Sequence, residues 1–191
     1  ADAAAIRGPS GTIPACLHLN GHDLIATNEG AIIGYTGIMN VLGNGTVMGN
    51  TTAETTGAAV NINTSGANGK VNLYGGIYTL PQANETAPAV GVANNGGEIN
   101  IYEGVTVRGA GGNSVYMGEA NLRSAKLGIY GAKIEGTVTC AEPSDSKARS
   151  CTLEIGGNAQ IDKVKVGSMY IQDRLSGAPK IGLMNMVANV A

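Results

Sequence analysis

Gly97-Glu98-Ile99-Asn100-Ile101-Tyr102-Glu103-Gly104-Val105-Thr106-Val107 decides the fold. Ile99 and Ile101 alternate with Asn100 and Tyr102, the period-two pattern of a half-buried strand. Glu103-Gly104 interrupts it with a residue that takes the positive φ of a tight corner without steric cost. Val105-Thr106-Val107 then resumes the alternation. The unit recurs along the chain. It reads Leu17-His18-Leu19-Asn20-Gly21-His22-Asp23-Leu24-Ile25 near the start, then Met39-Asn40-Val41-Leu42-Gly43-Asn44-Gly45-Thr46-Val47. Val71-Asn72-Leu73-Tyr74-Gly75-Gly76-Ile77-Tyr78 precedes the quoted copy, and Leu127-Gly128-Ile129-Tyr130-Gly131-Ala132-Lys133-Ile134 follows it. Leu153-Glu154-Ile155-Gly156-Gly157-Asn158-Ala159-Gln160-Ile161 is the sixth. Anchored on Leu19, Val41, Leu73, Ile101, Ile129 and Ile155, the copies are spaced by 22, 32, 28, 28 and 26 residues.

That spacing is too short and irregular for propeller blades, which run about 40–45 residues, and the units are too strand-like for helical repeats. Weaker strands lie between the anchors, at Ala59-Val60-Asn61-Ile62-Asn63, Ala89-Val90-Gly91-Val92 and Ser114-Val115-Tyr116-Met117. One coil of two or three short strands, stacked on the next by parallel hydrogen bonding at about 4.8 Å, accounts for all of them. The expected architecture is an all-β, right-handed parallel β-helix of about six coils, a single domain over residues 1–191. A β-sandwich would leave the repeated phase unexplained. Val71, Ile99, Leu127 and Leu153 are expected to form one inward column, and Leu73, Ile101, Ile129 and Ile155 the next. Helix signals are weak, the best being one or two turns over Gly118 to Ala125.

Composition agrees. Of 191 residues 30 are Gly, roughly twice the usual ~7% share, and there is no Phe or Trp. The core is therefore aliphatic and thin, as in a stacked column, which tolerates bulky rings poorly. Charged residues make up 14% against a usual ~25%, and the net charge is −2. No basic excess is available for phosphates, which argues against nucleic acid as a partner. Lys163-Val164-Lys165-Val166 reads as a strand with one solvated face. No apolar run approaches the ~20 residues of a membrane span. The first residues lack the basic head and apolar middle of a signal peptide. The apolar tail from Gly182 to Ala191 either continues into further sequence or folds over the last coil, since an open solenoid end pairs with something. End-to-end association and further domains of the same chain are both compatible with that.

The segment from Leu17 to Leu24 resembles an LxLNGHxL coil of right-handed parallel β-helix domains. Gly97–Thr106 and Lys70–Ile77 resemble the GxxNIYGGTI coils of secreted or wall-attached proteins of Gram-positive bacteria. The resemblance covers about residues 15 to 162 and is to the pectate-lyase-like repeat domains of bacterial surface proteins. It implies that residues 1–191 are a fragment of a larger surface protein, in a secreted or cell-surface setting, with an adhesin-like structural or binding role and a glycan or another cell-surface component as partner. The same architecture also carries pectate lyases, polygalacturonases and phage tailspikes, so fold does not settle function. A polysaccharide lyase or glycoside hydrolase is the alternative.

Cleavage chemistry finds little to stand on. Hydrolysis wants two carboxyls about 5–9.5 Å apart. The five aspartates do not pair at matched phase, and Glu98, Glu103, Glu119, Glu135 and Glu154 fall on different phases. Glu103 and Glu135 could approach across layers, and a solvated surface is the simpler reading of both. No glycine-rich calcium run is present, and His18 and His22 stand alone beside Cys16 without a zinc spacing. No catalytic residue, metal or cofactor is assigned.

Three rows remain. Tyr74, Tyr102 and Tyr130 recur at 28-residue steps, one position after the inward anchor, so stacking is expected to place them in an outward aromatic ladder. Such a row is either a structural stack, with each pair contributing about 0.5–1.5 kcal/mol, or a platform for a sugar. Asn40, Asn72 and Asn100 share another phase and read as an amide ladder between layers. Cys140 and Cys151 flank a polar stretch, residues 141–150, and read either as two thiols on neighbouring strands or as a disulfide closing a surface loop. In the second reading Cys16 is left free.

Overall fold

The computed structural model describes residues 6–27, 30–34, 36–50, 58–62, 69–81, 88–92, 97–117, 125–140, 151–166, 169–171 and 177–186. Among these residues every regular element is a strand, and there are eighteen. The first nine are β1 (Ile6–Arg7), β2 (Ala15–His18), β3 (Leu24–Ile25), β4 (Ile32–Gly34), β5 (Ile38–Leu42), β6 (Thr46–Met48), β7 (Val60–Ile62), β8 (Lys70–Leu73) and β9 (Gly76–Thr79). The rest are β10 (Val90–Val92), β11 (Gly97–Tyr102), β12 (Val105–Met117), β13 (Ala125–Tyr130), β14 (Lys133–Cys140), β15 (Cys151–Gly156), β16 (Gln160–Val166), β17 (Met169–Ile171) and β18 (Lys180–Met186).

All strand pairings between these elements are parallel, and each strand pairs with its equivalent one coil away. The chain is therefore a parallel β-solenoid. One wall is a seven-stranded sheet in the order β17-β15-β13-β11-β8-β5-β2. The other is an eleven-stranded sheet in which β3, β6 and β9 form one strip and β1, β4, β7 and β10 form a second. The two strips join at β12, which runs round the corner between them through register shifts between Arg108 and Asn113 and between Asn113 and Val115. Ser114, fully buried at that corner, accepts a hydrogen bond from the Gly109 N–H and donates to the Glu135 carbonyl.

The core is a set of aliphatic columns. Val71, Ile99, Leu127 and Leu153 stand in register, as do Val41, Leu73, Ile101, Ile129 and Ile155, and all nine are fully buried. These are the inward columns expected from the alternation. The opposite strip supplies Ile32, Val60, Val90, Val115, Val138 and Val164, again in register and fully buried. The fourth column is Val47, Tyr78, Val107, Ile134 and Ile161. Tyr78 is a ring inside a stacked core, against the expectation that such columns tolerate bulky rings poorly. Its layer neighbours are both the smaller Val, and its hydroxyl donates to the Gly75 carbonyl at 3.0 Å.

The turn between the two sheets needs the glycine that the repeats carry. In five successive coils the glycine there has a φ between +62° and +91°: Gly43, Gly76, Gly104, Gly131 and Gly157. The first anchor is two residues out of register, because Leu17, not Leu19, pairs with Val41. Leu19 lies beyond the end of β2, buried next to the corner formed by Asn20 and Gly21. The coil count also differs from six: the seven-stranded sheet gains a rung at β17 after the last anchored strand. The tail contributes a rung of its own, since β18 pairs with β16. Val187 to Ala191 lie outside the described residues, as do residues 118–124 of the candidate helix, and Ala125 opens β13. Lys163-Val164-Lys165 is a strand segment with Val164 buried and Lys165 exposed.

Candidate functional site

The outer face of the seven-stranded sheet carries three rows, set by alternation against the inward columns. The first is Lys70, Glu98 and Lys126, three positions before the inward anchors Leu73, Ile101 and Ile129. The second, one position before the anchors, is Asn40, Asn72, Asn100, Gly128 and Glu154. The third, one position after them, is Tyr74, Tyr102 and Tyr130.

The tyrosines form the expected ladder. Tyr74 and Tyr102 stack with centroids 4.6 Å apart and planes 7° from parallel, and Tyr102 and Tyr130 lie 5.4 Å apart at 34°. The first spacing is close to the layer height, so register alone produces it. The tilt of Tyr130 has a local cause. An ideal Cβ on Gly128 would lie 2.5 Å from Tyr130 Cε2, so the ring leans across a position that has no side chain. Its hydroxyl donates to Glu154 Oε2 at 2.6 Å.

The amides also form the expected ladder. Asn72 Nδ2 donates to Asn40 Oδ1 at 2.9 Å, and Asn100 Nδ2 donates to Asn72 Oδ1 at 3.0 Å and to Glu98 Oε1 at 2.8 Å. Asn40 Nδ2 reaches Cys16 Sγ at 3.7 Å. Although this row faces outward, Asn72 and Asn100 are buried, because the longer side chains of the two flanking rows cover them.

Ion pairs complete the face. Lys70 Nζ lies 2.9 Å from Glu98 Oε1, and Lys126 Nζ lies 2.9 Å from Glu154 Oε1. Burial by itself raises the Glu98 pKa, but hydrogen bonds from Asn100 and Lys70 and the charges of Lys70 and Lys126 outweigh it and hold the carboxyl below its usual range. The hydrogen bond from the Tyr130 hydroxyl outweighs burial and, with help from the Lys126 ammonium, lowers Glu154 as well. Burial, followed by the adjacent Glu154 carboxylate, raises the Tyr130 phenol, and burial with the neighbouring Tyr74 raises Tyr102. Both phenols are thus neutral donors near pH 7.

Lys70, Glu98, Asn100, Tyr102, Lys126, Tyr130 and Glu154 together line a shallow open depression of about 340 Å³. That volume is at the small end of ligand-sized sites. Tyr74 stands outside the depression and packs behind Tyr102.

Glu103 and Glu135, the carboxylate pair singled out in the sequence, have different surroundings. Glu135 is held by Lys133 and Arg108, each at 2.7 Å, and these bonds lower its pKa. Glu103 is exposed at the sheet corner. Cys140 closes β14 and Cys151 opens β15, but their side chains, and with them the expected choice between free thiols and a disulfide, lie outside the described residues. Cys16 is free and exposed. Among the described residues no group of three or more His, Cys, Asp or Glu side chains is placed to share a metal ion. No helix among them is long and apolar enough to cross a membrane.

Lys70, Glu98, Lys126 and Glu154 are the residues that sequence phase missed. Glu98 stands three positions before its anchor and Glu154 one, so their phases differ. Both offsets are odd, and parity alone puts them on one face. No protein-family model, curated protein or solved structure matches the chain.

Proposed function

We propose that this solenoid is a binding module, secreted or displayed at a cell surface, that holds a carbohydrate on the outer face of its seven-stranded sheet. The observation that carries the reading is the convergence of the three outward rows on one open depression. It offers ammonium and phenol donors, carboxylate acceptors and ring edges within one small area, the mix that a polyhydroxylated ligand needs. The secreted or surface setting and the adhesin-like role rest on the resemblance of the Asn-Ile-Tyr and Asn-Leu-Tyr coils to wall-attached β-helix proteins.

The tyrosines contribute unequally. Tyr74 and Tyr102 cover each other's faces, so that part of the ladder is a structural stack that presents edges. Tyr130 is turned away from the stack and lines the depression with Tyr102. Holding is favoured over cleaving because Glu98 and Glu154 are both pulled below the usual carboxyl range, whereas a general acid at neutral pH needs one carboxyl raised.

The test is a glycan array probed with the purified chain and with Tyr130→Ala. The expected result is a reproducible hit in the parent that the variant loses while its circular dichroism spectrum is unchanged. Absence of any hit, or hits indifferent to Tyr130→Ala, would overturn the assignment of this face.

A further inference from the structure

The amide row on the outer face stops one layer short. Asn40, Asn72 and Asn100 each pass a hydrogen bond down to the layer below. The residue that pairs with Asn100 in the next layer is Gly128, and beyond it comes Glu154. Gly128 lies within β13 and is not among the glycines with positive φ, so its backbone does not require glycine. What glycine supplies there is room.

The room has a consequence for Asn100, which is 2% exposed. Its Nδ2 is fixed as the nitrogen, because it donates to two acceptors, Asn72 Oδ1 and Glu98 Oε1. Its Oδ1 is therefore the atom facing the Gly128 step, 2.5 Å from where a Cβ would stand. This oxygen is buried and accepts no hydrogen bond, and no other side-chain atom among the described residues stands so. Buried acceptors are nearly always satisfied, and an exception in a site asks for an explanation.

We infer that the Gly128 step, between Asn100 and Glu154, is a subsite for a single neutral pyranose unit, one of whose hydroxyl or amide hydrogens is donated to Asn100 Oδ1. The inference rests on the carbohydrate reading above and gives it a place and a ligand class. Tyr130 is the cover. Its ring lies over the step and is tied down at its tip by the hydroxyl's bond to Glu154 Oε2. Turning the ring outward, a rotamer change of a partly exposed side chain, uncovers the orphan acceptor. It also frees one Glu154 oxygen for a second hydroxyl and leaves the ring to pack on the sugar's C–H face. Neutral sugar is selected by charge. Lys70 and Lys126 balance Glu98 and Glu154, so a uronate gains no net attraction and must displace a carboxylate from an ammonium.

Gly128→Asn tests this, because an asparagine there continues the ladder. Its Cβ would stand 2.5 Å from both Asn100 Oδ1 and Tyr130 Cε2, so the ends of both side chains shift to admit it, and its amide then donates to Asn100 Oδ1. The assay is a ¹H–¹⁵N titration of the parent and of the variant with maltotriose, cellotriose and diacetylchitobiose as neutral probes and trigalacturonate as the acidic one. A neutral probe should bind the parent with its largest shifts at the Asn100 side-chain amide and the Gly128 N–H. Gly128→Asn, with the parent's circular dichroism spectrum, should weaken it at least about tenfold, the loss of one good hydrogen-bonded contact. Tyr130→Phe, which unties the cover and keeps the ring, should bind several-fold tighter. Gly128→Ser replaces the asparagine variant if that one does not fold.

Undiminished binding by the folded Gly128 variant overturns the subsite and leaves carbohydrate binding elsewhere on the face intact. Tighter binding of trigalacturonate overturns the neutral class. No shift with any probe at about 50 mM, a level that detects even very weak affinity, overturns the subsite together with the carbohydrate reading.

Discussion

Ile101→Ala puts the stacked core under the heaviest load. Ile101 is fully buried in the column between Leu73 below and Ile129 above. Truncation removes three carbons, a transfer loss of about 2.4 kcal/mol at ~0.8 kcal/mol per carbon. A cavity cost adds to this. The layers cannot close on the gap, because Leu73–Ile101 and Ile101–Ile129 belong to ladders of four and six in-register pairs that fix the spacing. The loss therefore belongs in the upper half of the 2–5 kcal/mol range for Ile→Ala, at about 4 kcal/mol. For a chain of this length each kcal/mol moves Tm by about 2–4 °C, so a fall of about 8–16 °C is expected. The assay is thermal unfolding followed by circular dichroism, with Glu103→Ala at the exposed corner as the control, expected to stay within about ±0.5 kcal/mol. An Ile101→Ala variant that melts with the control would refute the columnar core.

Two further outcomes follow from the outer face. Asn72→Ala removes the middle of the amide ladder, leaving Asn40 Oδ1 and Asn100 Nδ2 each short of one partner. It should cost about 1–3 kcal/mol by urea unfolding, and no loss would mean the ladder contributes nothing. Glu98, Glu135 and Glu154 all have pKa values lowered by their partners. A carboxyl depressed in the folded state stabilises above the unfolded value, about 4.3, and that contribution disappears as pH falls through the folded values. Tm should thus be flat from pH 7 to about 5 and drop below about 4, with a shallower drop for Glu98→Gln, and an unchanged acid limb would disprove the linkage.

Much of this was readable in the residues. Alternation around Ile99 and Ile101 fixed which side chains face inward, and equal 28-residue steps gave Tyr74, Tyr102 and Tyr130 a common row. The first coil misled because Leu17 and Leu19 are both apolar at the same parity. Only pairing with Val41 decides between them. The charged rows needed a face to be assigned by odd offset rather than by identical phase. The bend inside β12 left no pattern at all, since Gly109-Ala110-Gly111-Gly112 has no large side chains to alternate. The tilt of Tyr130 depends on the missing side chain of Gly128, a residue that in the repeat alignment reads only as a weak copy of Asn100.

The account stands on in-register stacking that presents one continuous outer face, and ring-to-ring nuclear Overhauser contacts among the tyrosines measure it most directly. With tyrosine rings selectively labelled, contacts are predicted between Tyr74 and Tyr102 and between Tyr102 and Tyr130, at centroid separations of 4.6 and 5.4 Å. None is predicted between Tyr74 and Tyr130, two layers apart at about 9.6 Å. Absence of either neighbour contact, or a direct Tyr74–Tyr130 contact, would contradict the register on which the fold, the depression and its proposed ligand all depend.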